Sequence, residues 1–224
     1  MKKGLKIFLI ILAAFILVAG TVTVWQWDNI TAVVYFMKYS KDDLETLEKD
    51  NKQKLDDTAA TLDIIPRELT EEEQKALADG IISEEDAVEI SLGTSTLKDK
   101  LENSTDKTSV KKDRLSELVA RLYVLKSTFI SKLDGLAGQA AAEYKNTPNS
   151  QKNASWTSSK ISKYMGLATE LEAECDVQVE EIISELKDEL KKQGKDNSLI
   201  NTIRSTYDNE KQIKKAYYLN KYLK

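Results

Sequence analysis

Histidine is absent from the 224 residues, cysteine occurs once, proline twice and glycine eight times. Without histidine the chain has no Ser-His-Asp or Cys-His pair to activate a nucleophile, no imidazole ligand for zinc, and none of the Glu-x-x-His sites that helical bundles use for di-iron chemistry. The lone Cys175 excludes an intrachain disulfide and a cysteine-rich metal site, leaving a bridge between two copies as the one disulfide open to it. So few turn formers, in a chain with 31% charged residues, make helix the default structure. Charge of one sign is not in surplus either. Thirty-three basic against 37 acidic side chains give a net charge of −4, which argues neither for general nucleic-acid binding nor for extreme acidity.

Long apolar runs are equally scarce, with one exception. From Ile7 to Trp27 there are 21 consecutive uncharged residues, about 31 Å as a helix, close to the thickness of a bilayer's hydrocarbon core. Lys2, Lys3 and Lys6 precede the run and Asp28 follows it. The positive-inside rule therefore places residues 1–6 in the cytoplasm, 7–27 across the membrane, and the remainder outside, with Trp25 and Trp27 at the far interface. The expected location is thus the cytoplasmic membrane, in a single pass. A cleaved signal peptide is the alternative, because Val18-Ala19-Gly20 offers small residues behind an apolar run; a cut after Gly20 would make the protein secreted. Apolar character nevertheless continues through Thr21-Val22-Thr23-Val24-Trp25. The patch from Ile30 to Tyr39 is too short for a second span and is expected to carry the anchor helix outward.

Beyond the anchor the expected fold is all-α. Residues 28–65 form a juxtamembrane stalk helix, whose part after Lys41 has only a thin apolar stripe of Leu44, Leu47, Leu55 and Leu62, the mark of a solvated helix. Ile64-Ile65-Pro66 ends it. Residues 66–93 read as a short helical hairpin: Thr70-Glu71-Glu72-Glu73 has the capping-box pattern, Gly80 closes that helix, Ser83 opens the next and Gly93 closes it. Residues 40–90 hold 17 acidic and six basic side chains, a local charge of −11. Residues 94–112, rich in Ser, Thr and Lys and without periodicity, are expected to be a flexible linker. Residues 113–224 carry three long apolar stripes at three- and four-residue spacing. The first starts at Leu115 and runs through Leu118, Leu122, Leu125, Phe129, Leu133, Leu136 and Ala140 to Tyr144. The second includes Tyr164, Cys175, Val179, Ile182 and Leu186 and stops at Gly194, and the third runs from Leu199 through Ile203 and Ile213 to Leu223. An antiparallel three-helix bundle follows from these stripes and the short connection between the second and third helices.

Few residues suggest chemistry. Asp79 to Asp86 resembles the second half of an EF-hand calcium loop, but Lys75 and Leu77 fall where the first two ligands belong, so a capped helical hairpin is the expectation and no metal or cofactor is expected. Cys175 lies on an apolar stripe, where free cysteine behaves as a small hydrophobe. The many carboxylates from Glu170 to Glu189 form a solvated face from which no catalytic pair stands out. The C-terminal segment interleaves Lys214, Lys215 and Lys221 with Tyr217, Tyr218 and Tyr222. It is a possible interaction surface, suited to membrane headgroups or an acidic wall polymer, or else cations complementing a helix C-terminus.

The run Glu117-Leu118-Val119-Ala120-Arg121-Leu122-Tyr123-Val124-Leu125-Lys126-Ser127 and the C-terminal Lys214-Lys215-Ala216-Tyr217-Tyr218-Leu219-Asn220-Lys221-Tyr222, with the Thr70 to Gly93 hairpin, resemble a group of uncharacterised, N-terminally anchored bacterial proteins. The resemblance implies the architecture and no activity. The expected function is a non-enzymatic, membrane-tethered helical module outside the cytoplasm, held by the lipid bilayer through its N-terminal helix. It would contact a protein or cell-envelope partner, with oligomers possible and no nucleic acid. The alternatives are a ligand-binding protein or carboxylate-dependent enzyme with a site in the bundle, and an accessory subunit of a larger membrane complex.

Overall fold

The computed structural model describes residues 34–35, 37–64, 66–102 and 113–223, without the side chains of 161 and 219–223. The expected span, residues 7–27, lies outside these. Among the described residues every regular element is helical, and no helix there is long and apolar enough to cross a membrane. In chain order the helices are α1 (Lys41–Ala60), α2 (Glu71–Ala78), α3 (Glu84–Ser91), α4 (Leu97–Leu101), α5 (Arg114–Asn146), a 3-10 turn (Asn149–Gln151), α6 (Ala154–Lys192) and α7 (Ser198–Leu223). They fall into two compact units. Of the described residues, one comprises those up to Thr58 together with those from Asn201 onward, the other those between Ala59 and Ile200.

Helix ends follow local chemistry. The Ser40 hydroxyl accepts from the Asp43 amide at 3.2 Å, and the Asp43 carboxylate accepts from the Ser40 amide at 2.8 Å. The same reciprocal arrangement opens α2 with Thr70 and Glu73, α3 with Ser83 and Asp86, and α4 with Thr96 and Asp99. Each pair satisfies amide donors that the first helical turn leaves orphaned. Asp113 and Asn153 cap α5 and α6 from the side chain alone. Gly80, Gly93 and Gly194 close α2, α3 and α6 at φ between 65° and 70°, the left-handed region that a side chain disfavours. In each closure the amide of the residue after the glycine reaches back to the last turn, as Ile81 does to the Ala76 carbonyl at 2.8 Å.

In the larger unit α5 and α6 form a long antiparallel hairpin. Gln193 reaches Asp113 near one end, Arg114 and Arg121 both donate to Glu185, and Tyr164 donates to Glu143 near the other end. Leu115, Leu118 and Val119 on α5 and Leu186 and Leu190 on α6 are fully buried. The short helices α2 and α3 lie against α5, where Leu69, Ala76, Ile82, Ala87 and Ile90 make a cluster with Val124. Two polar links fasten this hairpin. Arg67 grips Glu73 with both guanidinium branches at 2.8 Å, and Lys126 reaches Glu68 at 2.8 Å.

Two expectations need correction. The stretch expected to be a flexible linker from residue 94 begins with α4, because Thr96 and Asp99 cap it and Lys100 bridges Asp86 at 2.7 Å and Glu89 at 2.5 Å; residues 103–112 lie outside the description. The helix expected to be a solvated stalk is not solvated on all sides. In the smaller unit α1 and α7 run antiparallel, with Leu44, Ile213 and Ala216 buried together and Tyr35, Tyr39, Leu47 and Tyr217 packed around them. Asn51 donates to the Thr206 carbonyl at 2.6 Å, the hydroxyls of Thr58 and Thr202 lie 3.2 Å apart, and Lys214 meets Glu48 at 2.8 Å. The third stripe is therefore met by α1, which supplies a partner for a helix expected to complete a bundle with α5 and α6. The physical reason is that one leucine per turn suffices when the facing helix supplies Ile213, Ala216 and an aromatic rim.

Candidate interaction surfaces

Lys2, Lys3, Lys6, Trp25 and Trp27, the expected membrane-interface residues, lie outside the described residues. So do the side chains of Lys221 and Tyr222. The rest of the C-terminal set is built into α7. Lys214 is spent on its ion pair with Glu48 and is only about one-fifth exposed. Tyr217 packs against the Leu44 cluster and meets Tyr218 edge to face, ring centres 5.7 Å apart. Lys214, Lys215, Tyr217 and Tyr218 are all half-buried. Lys214 and Tyr217 thus hold α1 and α7 together and are not free surface.

The acidic residues singled out earlier have structural partners as well. Asp79 takes the Lys75 ammonium at 3.0 Å, and Asp86 serves both the α3 cap and Lys100. The Lys100 ammonium, followed by the cap itself, holds the Asp86 carboxyl below the usual range. Glu73 is likewise depressed, chiefly by Arg67. Cys175 is buried on the apolar face of α6. Among the described residues no group of three acidic or cysteine side chains is placed to hold a metal ion.

A different surface emerges at the turn between α5 and α6. The last buried residue of α5 is Phe129 and the first of α6 is Cys175; none of the intervening residues with described side chains is buried. Around the turn, the Tyr144 and Trp156 rings lie 6.1 Å apart. Lysines cover the aromatic faces: Lys152 sits 4.2 Å from the Tyr144 ring centre, Lys160 5.9 Å from Trp156 and Lys163 4.8 Å from Tyr164. Such contacts place the positive charge against the negative face of the ring. Glu143 is the one carboxylate between residues 135 and 169, against Lys145, Lys152, Lys160 and Lys163. It accepts from Lys160 at 2.5 Å, Lys163 at 3.2 Å and Tyr164 at 2.8 Å. Lys160, then Tyr164 and Lys163, hold its pKa down at about 2. Tyr144 is 57% exposed and Met165 40%.

Sequence reasoning passed over this cluster because its lysines and aromatics are scattered over some twenty residues and two helices. The available signal was the local charge, +3 from residue 135 to 169 within a chain of −4. Fold and surface together define an all-helical protein whose described part combines a helical hairpin, with a basic aromatic tip, and an antiparallel helix pair. No family model, curated protein or solved structure matches the chain.

Proposed function

We propose that the chain is a membrane-tethered helical module outside the cytoplasm, with a binding rather than a catalytic role, and that the far half of the α5/α6 hairpin is its binding surface. The observation that carries this reading is the hairpin's excess length. Past Phe129, α5 continues for 17 residues to Asn146, about 26 Å of helix, along which Leu133, Leu136, Ala137 and Ala140 are half-buried and no described side chain is fully buried. Helices of this length are stabilised mainly by packing, and a half whose side chains are at most half-buried leaves surface for a contact outside the chain. The tether rests on the uncharged run from Ile7 to Trp27 behind three lysines.

The test is site-specific photo-crosslinking in intact cells, from Tyr144 and Met165 at the tip and from Val177, 60% exposed on the inner half of α6. Adducts to one envelope component from the two tip positions and none from Val177 are expected. Absence of adducts from the tip, with the chain recovered in the soluble fraction, would overturn the proposal.

A further inference from the structure

The tip of the α5/α6 hairpin has the composition of a surface for anionic phospholipid. Its three rings, Tyr144, Trp156 and Tyr164, are amphipathic, with an apolar body and a polar edge, the pairing that favours the headgroup level of a bilayer. Each ring has a lysine ammonium within 6 Å of its centre, so ring and charge would reach the interface together. The one local carboxylate is already neutralised by Lys160 and Lys163. Its negative charge does not cancel Lys145, which is exposed, or Lys152, which faces Tyr144 and Asn149. The rest of the turn is made of small hydroxyl and amide residues, Thr147, Asn149, Ser150, Gln151 and Asn153, which donate hydrogen bonds and carry no repelling charge.

Geometry also discriminates between partners. The tip is two helix ends joined by a 3-10 turn, whereas a helix or peptide ligand is usually received in a groove. We infer that this tip docks on the surface of a bilayer containing anionic phospholipid, with Lys145 and Lys152 supplying the attraction and Trp156 and Tyr144 entering the headgroup layer. The inference rests on the binding role proposed for the hairpin. A chain already tethered to a bilayer meets its surface at a high effective concentration, so a small basic and aromatic tip is enough.

The experiment uses the full-length chain with Trp25→Phe and Trp27→Phe, which leaves Trp156 as the sole indole. It is mixed with vesicles of phosphatidylcholine, or of phosphatidylcholine with about one-third phosphatidylglycerol as the anionic component. Flotation reads the tether, and quenching of Trp156 by brominated lipid reads the tip. The expected result is flotation with both vesicles and quenching with the anionic ones alone. Lys145→Gln with Lys152→Gln, a pair that removes no buried group, is expected to cut tip binding more than tenfold while helicity is unchanged, at about fivefold per lysine. Flotation with Trp156 indifferent to lipid charge would overturn the tip inference and leave the tether standing. Failure to float with phosphatidylcholine, combined with lysine-dependent quenching on anionic vesicles, would remove the tether and uphold the tip. Equal protection of Trp156 by soluble polyglutamate in the presence of neutral vesicles would overturn the lipid assignment in favour of an acidic polymer.

Discussion

Asp63, three residues past the end of α1, holds φ at 59° without being glycine. The Asp63 and Ile64 amides reach back to the Ala60 and Ala59 carbonyls at 3.1 Å each, so the left-handed residue is what lets the end of α1 satisfy its carbonyls. A Cβ in that region is strained. Asp63→Gly is therefore expected to stabilise the protein by about 0.5–1 kcal/mol, read as a higher thermal midpoint, whereas a β-branched residue such as valine is expected to lower it. Glu73 makes the opposite case, a carboxylate that several groups hold. Arg67 and the α2 cap keep its pKa below the ordinary 4.5. A depressed carboxylate stabilises the fold above its unfolded pKa, and that share disappears as pH falls through the folded value. Glu73→Gln is expected to flatten the loss of urea stability below about pH 4.5. Glu73→Ala, which also removes the carboxylate that accepts from the Thr70 amide, is expected to cost about 1–2 kcal/mol at neutral pH. An unchanged pH profile in the Gln variant would show that the pair contributes nothing.

For the helices, the pairing of α1 with α7 and the partly exposed far half of α5 each carry a prediction. Leu44 is 1% exposed, in a cluster with Ile213 and Ala216, so Leu44→Ala is expected to cost about 2–4 kcal/mol through the cavity it leaves. Amide hydrogen exchange locates the effect. Faster exchange in both α1 and α7 is expected, whereas a solitary stalk would show it in α1 alone. Gly135 and Gly138 sit in the interior of α5, and an added Cβ at either would meet nothing within 4 Å. Glycine weakens a helix interior through backbone entropy, so alanine at each position is expected to raise stability by about 0.5–1 kcal/mol in thermal unfolding. A loss of stability there would mean that the far half of the hairpin is packed in solution more closely than the structure shows.

For the complete chain, the expected outcome of fractionation is recovery with membranes after alkaline carbonate washing, and release when residues 7–27 are deleted. N-terminal sequencing that begins at Thr21 would instead indicate cleavage and secretion. Much of the described fold was legible beforehand. The caps at Thr70, Ser83 and Asp113 and the stops at Gly80, Gly93 and Gly194 come from chemistry within three or four residues, and the stripes of α5 and α6 from a period that any isolated segment displays. That locality is why the sequence alone establishes where most of these helices begin and end, though not α4, whose Thr96–Asp99 cap lies in a stretch without periodicity. The sequence does not establish which helix meets which. The stripe of Leu44 and Leu47 shows a side to be covered without naming its cover, and the cover lies 144–166 residues along the chain, where Thr202 and Lys214 face Thr58 and Glu48. The same holds for the surfaces. Lys214 and Tyr217 look available in the sequence and are drawn into α1, whereas Tyr144, Lys152, Trp156 and Lys163 become one patch when the α5/α6 turn brings two helix ends together. Partner choice depends on shape and charge matched across the folded chain, and those are properties of its three-dimensional packing.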